Sequence, residues 1–198
     1  MTIRAKIASL FVVAMAISGC SIKGKPMVTY TISPNIKISK ISKSPYRNSS
    51  IKISYPTNIK GKSSSSIYYS YSDMEEGVYQ NASWGSSSSQ LLTYSIIRAL
   101  EQGGVFKSAI DYRSVANVDY TLESEVYEFY HKVRKDISLS VVSIRFDLID
   151  SSTNELVKSK KFTYEISTDT TDAKGYVKAT NRAIERLSRD LVKWLARR

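Results

Sequence analysis

The chain has one cysteine and one histidine among its 198 residues, and these two scarcities exclude more chemistry than its motifs supply. A single cysteine can build neither a disulfide framework nor a cysteine-based metal cage. His131 alone cannot make a His-rich metal site. Without a G-x-S-x-G elbow it gives no hydrolase triad either, and it is expected at a surface or strand end. The serine runs 63–66 and 86–89 lack the Gly-Lys context of a phosphate loop and read as loop and helix-start chemistry. These absences point away from an enzyme and from any resident metal or dissociable cofactor.

Acidic residues are missing from 21–62, a segment that holds nine basic side chains and all four prolines, Pro26, Pro34, Pro45 and Pro56. With Arg4 and Lys6 it carries the whole formal charge of +11, since the rest of the chain is balanced. A basic excess can signal nucleic acid, but no helix-turn-helix, finger spacing or ribonucleoprotein motif accompanies this one, so nucleic acid is not an expected partner. Two readings stay open for the segment: attraction to an anionic leaflet, and a solvated linker.

Long apolar runs are missing too. The longest, residues 7–17, is interrupted only by Ser9; as a helix it would cover about 16 Å, roughly half of a ~30 Å hydrocarbon core. A basic start (Arg4, Lys6), this short apolar core and the Ser18-Gly19-Cys20 ending read as an export signal over 1–19. The small residues before Cys20 resemble a bacterial lipobox, with Ile17 where leucine is commoner. On that resemblance Cys20 becomes the lipidated first residue, with diacylglycerol on sulfur and an acyl chain such as palmitate on the amino group. Two or more chains make a stable membrane anchor. Ser21 rather than aspartate after the cysteine implies the outer membrane, facing the periplasm. Residues 20–27 are then a lipidated tether and 28–198 the folded domain.

Within that domain, strands are expected at 28–32, 51–55 and 67–71, the last ending in an acidic turn at 73–77. Leu92, Ile96, Ala99 and Leu100 share one helical face, with Ser87 and Gln90 resembling a capping box and Gly103-Gly104 as the stop. A short strand at 108–112 follows. Longer strands at 120–130, 137–149 and 156–166 form an antiparallel meander, reversing at 150–154. A final helix over 172–196, capped by Thr171 or Asp172, presents Val177, Ile184, Leu187, Leu191 and Trp194 or Leu195. The expected fold is a single α+β domain, a mostly antiparallel sheet of five to seven strands covered by two helices, the longer one C-terminal.

Candidate sites are few. Asp73, Glu75 and Glu76 lack calcium-loop spacing and read as a solvated turn, and Asp119, Glu123 and Glu125 as an exposed sheet face. Tyr68, Tyr69, Tyr71, Tyr79 and Trp84 crowd together before the first helix; such density marks either an interface or core packing. Tyr79 and Trp84 are the first candidates for partner binding.

From Val28 onward the order of features resembles the ABC-type transport auxiliary lipoprotein family. The residues that carry it are scattered: Tyr30-Thr31-Ile32, Ile67-Tyr68-Tyr69-Ser70, Trp84, Leu92, Ala99-Leu100 and Gly104-Val105-Phe106. Further on come Asp119-Tyr120-Thr121-Leu122, Phe162, Asp172-Ala173, Ala179, Asn181, Ala183 and Leu191-Val192-Lys193-Trp194-Leu195. The chain departs from the family in its 86–89 serines and in the Lys- and Ser-rich 35–62 region. The resemblance implies a docking subunit that works with an ABC permease, its ATPase and a mammalian-cell-entry domain protein to move lipid or another hydrophobic solute between membranes. A lipoprotein of outer-membrane β-barrel or lipopolysaccharide assembly is the alternative, a surface adhesin-like lipoprotein a third, and a homo-oligomer stays open.

Overall fold

Val142, Ile144, Phe146 and Leu148 alternate along β8 (Ile137–Asp150), and all four are buried because period-two spacing sets them on one face of a strand. The computed structural model that shows this describes residues 25–58 and 64–197. The 1–19 signal, Cys20, the start of the 20–27 tether and Ser63 lie outside the described residues. β8 runs antiparallel to both β7 (Tyr120–Arg134) and β9 (Leu156–Ser167), which is the expected meander. At the reversal between β8 and β9, Asp150 accepts the Ser152 amide at 2.9 Å, and Asn154 adopts φ 60°, a conformation its short polar side chain tolerates.

The other edge of β7 takes three short strands in succession, all parallel to it: β2 (Ser50–Ile53), β3 (Thr57–Asn58) and β4 (Ser66–Ser70). β6 (Ser108–Asp111) adds to β2, while β5 (Glu76–Trp84) and then β1 (Val28–Tyr30) add to β4. Among the described residues the sheet is therefore mixed and nine-stranded, larger than the five to seven strands expected. Its long ladders are antiparallel and its short ones parallel, apart from the β4–β5 hairpin. The extra strands are those with no alternation to read, the two-residue β3 and β5, whose EGVYQNASW sequence buries only Ala82 and Trp84.

One register shift decides where the histidine goes. Leu122, Ser124 and Val126 face the core from β7, and simple alternation would send residues 128, 130 and 132 after them. A bulge between Val126 and Glu128 inserts one residue and reverses the parity, so Phe129 and His131 turn inward instead. The expectation of a surface or strand-end His131 is thus corrected: its side chain is fully buried.

Two helices among the described residues pack on one face of the sheet: α1 (Ser88–Gly103) and α2 (Ala173–Leu195). Ser87 caps α1 by accepting the Gln90 amide, and Gly104 ends it at φ 61°, left-handed backbone that glycine takes without strain. The Gln90 side chain bonds Ser86 rather than closing the capping box. Asp172 caps α2 by accepting the Gly175 amide at 2.8 Å. The stripe Val177, Ile184, Leu187, Leu191 and Leu195 is buried, each aliphatic side chain contributing about 1.5–3 kcal/mol. On the outer side of α2, Glu185 pairs with Arg189 at 2.6 Å, and Asp190 accepts from the Tyr164 hydroxyl at 2.7 Å.

Residues 31–49 form a strap over the helices. Ile32, Ile36 and Tyr46 are buried; the Ser33 amide donates to Asn181 at 2.7 Å and the Ile41 amide to the Gly103 carbonyl at 2.8 Å. Tyr46 stacks on Phe106 at 5.3 Å. The described part of the basic stretch from Val28 to Asn58 is therefore part of the folded domain.

Candidate functional site

The aromatic residues before α1 divide sharply by exposure. Trp84 is 2% exposed, its ring 6.0 Å from both Phe129 and Tyr176, because β5 points its last inward position under the start of α2. Tyr79 is half-buried and packs edge-on against Tyr69 at 5.2 Å, with its hydroxyl 2.7 Å from His131 Nδ1. Of the two partner-binding candidates, Trp84 has almost no surface to offer and Tyr79 spends its hydroxyl inside. Tyr71, by contrast, is well exposed, and Met74 in the following turn is almost fully so.

His131 joins the other end of this cluster. Its Nε2 is 2.8 Å from Ser138 Oγ, which is in turn hydrogen-bonded to Thr168 Oγ1 at 2.5 Å, and its ring stacks on Tyr176 at 5.2 Å. Burial pushes the imidazole pKa down to about 4, opposed by the negative charge of Asp172. Burial also pushes Tyr79 up to about 12, helped by Tyr71, Asp172 and Tyr69, and raises Tyr176 as well. A Ser–His contact of this length is what a nucleophilic pair needs. Here the imidazole is buried and depleted of basicity, and both its nitrogens are occupied. The chain Tyr79–His131–Ser138–Thr168 works as a polar pin that fixes β5, β7, β8 and the residue after β9 in one register. Sequence reasoning missed it because its members lie far apart in the chain and the bulge hides the parity of His131.

The acidic candidates disperse. Asp119 accepts the Ser50 amide at 2.7 Å and its hydroxyl at 2.8 Å; those two bonds hold its pKa below the ordinary value and fasten the start of β2. Glu125 pairs with Arg145 at 3.0 Å on the sheet face away from the helices, beside Asp147 at 3.0 Å. Asp73 pairs with Arg134 across two turns. Among the described residues no three of His, Cys, Asp or Glu are grouped to hold a metal ion, and no helix is long and apolar enough to cross a membrane. A polar groove of about 460 Å³ runs between Lys52, Asp119, Tyr120 and Ser151. The space between helices and sheet is filled by Leu92, Ile96, Phe146, Leu187 and their neighbours.

The family model for the ABC-type transport auxiliary lipoprotein component matches residues 30–192, and the chain belongs to that family. Protein XCC0632 from Xanthomonas campestris, a DUF330 protein, superposes with a TM-score of 0.75 at 21% identity, over 85% of this chain and 95% of its own. PelC from Paraburkholderia phytofirmans, solved as a dodecamer, gives 0.52 at 17% identity over 81% and 94%. CT253 from Chlamydia trachomatis gives 0.52 at 10% identity over 75% and 96%. At these identities the likeness is one of fold. No curated protein matches the chain.

Proposed function

We propose that this protein is the lipid-anchored docking subunit of an ABC-type transporter of the mammalian-cell-entry kind, which moves lipid or another hydrophobic solute between membranes. The observation that carries the reading is the family match over residues 30–192, beginning ten residues after a lipobox cysteine. Cys20, as the acylated first residue, holds the domain at the outer membrane facing the periplasm, and Ser21 supports that address. The partners are an ABC permease with its ATPase and a mammalian-cell-entry protein that bridges the membranes. The chain itself performs no covalent chemistry and carries no cofactor beyond the lipid on Cys20. The buried, weakly basic His131 fits this, as a structural group and not a general base. Docking falls to exposed surface, since Trp84 lies in the core. Assembly of several copies is supported by the fold shared with PelC, which was solved as a dodecamer.

The test is affinity purification of the full-length protein from membranes in mild detergent, beside a Cys20→Ala control, with mass spectrometry of what co-purifies. Recovery of a mammalian-cell-entry protein with permease and ATPase supports the reading. Recovery of a β-barrel protein without them would replace it by the assembly-lipoprotein alternative.

A further inference from the structure

Two turns stand side by side at one end of the sheet, and both are tipped with exposed apolar side chains. β4 runs parallel beside β7, with Tyr69 opposite His131 and Ser70 opposite Lys132, so the β4–β5 turn lies next to the β7–β8 turn. The ion pair between Arg134 and Asp73 ties them together. Tyr71 is 56% exposed, Met74 95% and Ile137 47%. The apolar side chains stand among charges that do not cancel: Asp73, Glu75, Glu76 and Asp136 face Arg134 and Lys135, with Asp73 paired to Arg134. Met74, the most exposed of the apolar three, projects from this mildly acidic tip.

The direction and length of the N-terminal chain say what this tip meets. β1 is parallel to β5, and β5 leaves the β4–β5 turn, so the chain traced back from Val28 heads toward that same end. Val28 lies opposite Ala82, six residues along β5 from its start at Glu76, a distance of about 20 Å at ~3.3 Å per residue. Cys20 lies eight positions before Val28, a distance that full extension limits to roughly 28 Å. Along that direction Cys20 can therefore lie at most about 8 Å beyond the start of β5, little more than the height of the turn. The argument rests on the reading of Cys20 as the acylated anchor.

We infer that the paired turns are a second membrane contact: Met74 and Ile137 enter the headgroup boundary of the bilayer in which the Cys20 lipid is seated, with Tyr71 at the interface. The domain then stands on the membrane by an anchor and a foot, which fixes its tilt and leaves the strap and the C-terminal end of α2 facing away from the bilayer. Val115 offers an internal comparison, being 99% exposed in the loop before β7, at the opposite end of the sheet.

The experiment places an environment-sensitive fluorophore on full-length acylated protein carrying Met74→Cys or Val115→Cys, Cys20 being blocked by its lipid. The protein is reconstituted into vesicles of phosphatidylethanolamine with a minority of phosphatidylglycerol. The expected result is a blue shift and several-fold protection from aqueous iodide for the label at 74, with the label at 115 as quenched as in detergent. Protein that floats with the vesicles while both labels stay equally accessible overturns the second contact and leaves the anchor reading standing. Protein that does not float, and whose N-terminal peptide carries no acyl mass, overturns the anchor reading and this inference with it.

Discussion

The Tyr79 hydroxyl sits 2.7 Å from His131 Nδ1, and the imidazole it holds is stacked on Tyr176 at 5.2 Å on the helix side. Burial lowers the folded-state pKa of His131 to about 4 from an ordinary 6.5. Above the higher value the imidazole is neutral in both states and its contribution is complete. Between the two values the unfolded chain binds a proton that the fold refuses, so stability falls with pH; below the lower value there is nothing more to lose. Urea denaturation should therefore show a loss on the order of 2 kcal/mol between about pH 7 and pH 4.5 that His131→Gln abolishes. An unchanged slope in the variant would mean that other groups carry the acid sensitivity.

Trp84 illustrates how an apparent interface residue can mislead. Truncation to alanine removes an indole packed between Phe129 and Tyr176, and should destabilise the domain by about 3–5 kcal/mol. Tyr71→Ala, at an exposed position, should change stability by no more than ~0.5 kcal/mol. Thermal melts of the two variants decide this. Partner recovery lost only in the Trp84 variant, in step with its lowered melting temperature, would be loss of fold and not loss of a docking contact.

The same residue shows which parts of the molecule were legible in the sequence. The residues that carry the family resemblance are packing and capping positions: Trp84, Leu92, Ala99, Leu100, Val105, Leu122, Ala179 and Ala183 lie in the core, and Gly104 ends α1. They specify the fold, which is why the fold could be read. The meander and α2 were visible because each buries a continuous face at its own period. β5 was not, since it lies between β1 and β4 and buries only two side chains. His131 was misplaced by a single inserted residue in β7. The exposed turns at 71–75 and 135–137 carry no periodicity, and only their adjacency in the sheet gives them meaning.

Gly175 reverses the usual rule for a helix. Replacing an exposed helical glycine by alanine stabilises by up to about 1 kcal/mol. Here an added Cβ would stand 2.2 Å from the Thr170 carbonyl oxygen, backbone that cannot swing aside. The close approach exists because Asp172 bonds both Thr170 Oγ1 and the Gly175 amide and draws the chain tightly around the start of α2. Gly175→Ala should destabilise by at least about 2 kcal/mol, and Asp172→Ala by about 1 kcal/mol. Chemical denaturation of both variants tests the pair; a stabilising Gly175→Ala would show that the turn can open without loss.

Lys158 closes the other end of the same helix. From β9 its ammonium donates to the carbonyls of Trp194 at 3.1 Å, Leu195 at 3.3 Å and Arg197 at 2.5 Å, at and just beyond the end of α2, where the Trp194 carbonyl also accepts the Arg197 amide at 3.3 Å. A cation at a helix C-terminus also meets the negative end of the helix dipole. Its ammonium lies 5.2 Å from the centroids of both Tyr46 and Trp194, which joins the strap to the helix end. Burial lowers the Lys158 pKa, so its partners hold it charged against a desolvation penalty. Lys158→Met keeps the stem and removes the charge, and should destabilise the domain by about 1–3 kcal/mol. It should also speed amide exchange at residues 193–197 more than at the start of α2. Uniform acceleration along the helix would mean that Lys158 acts through packing alone.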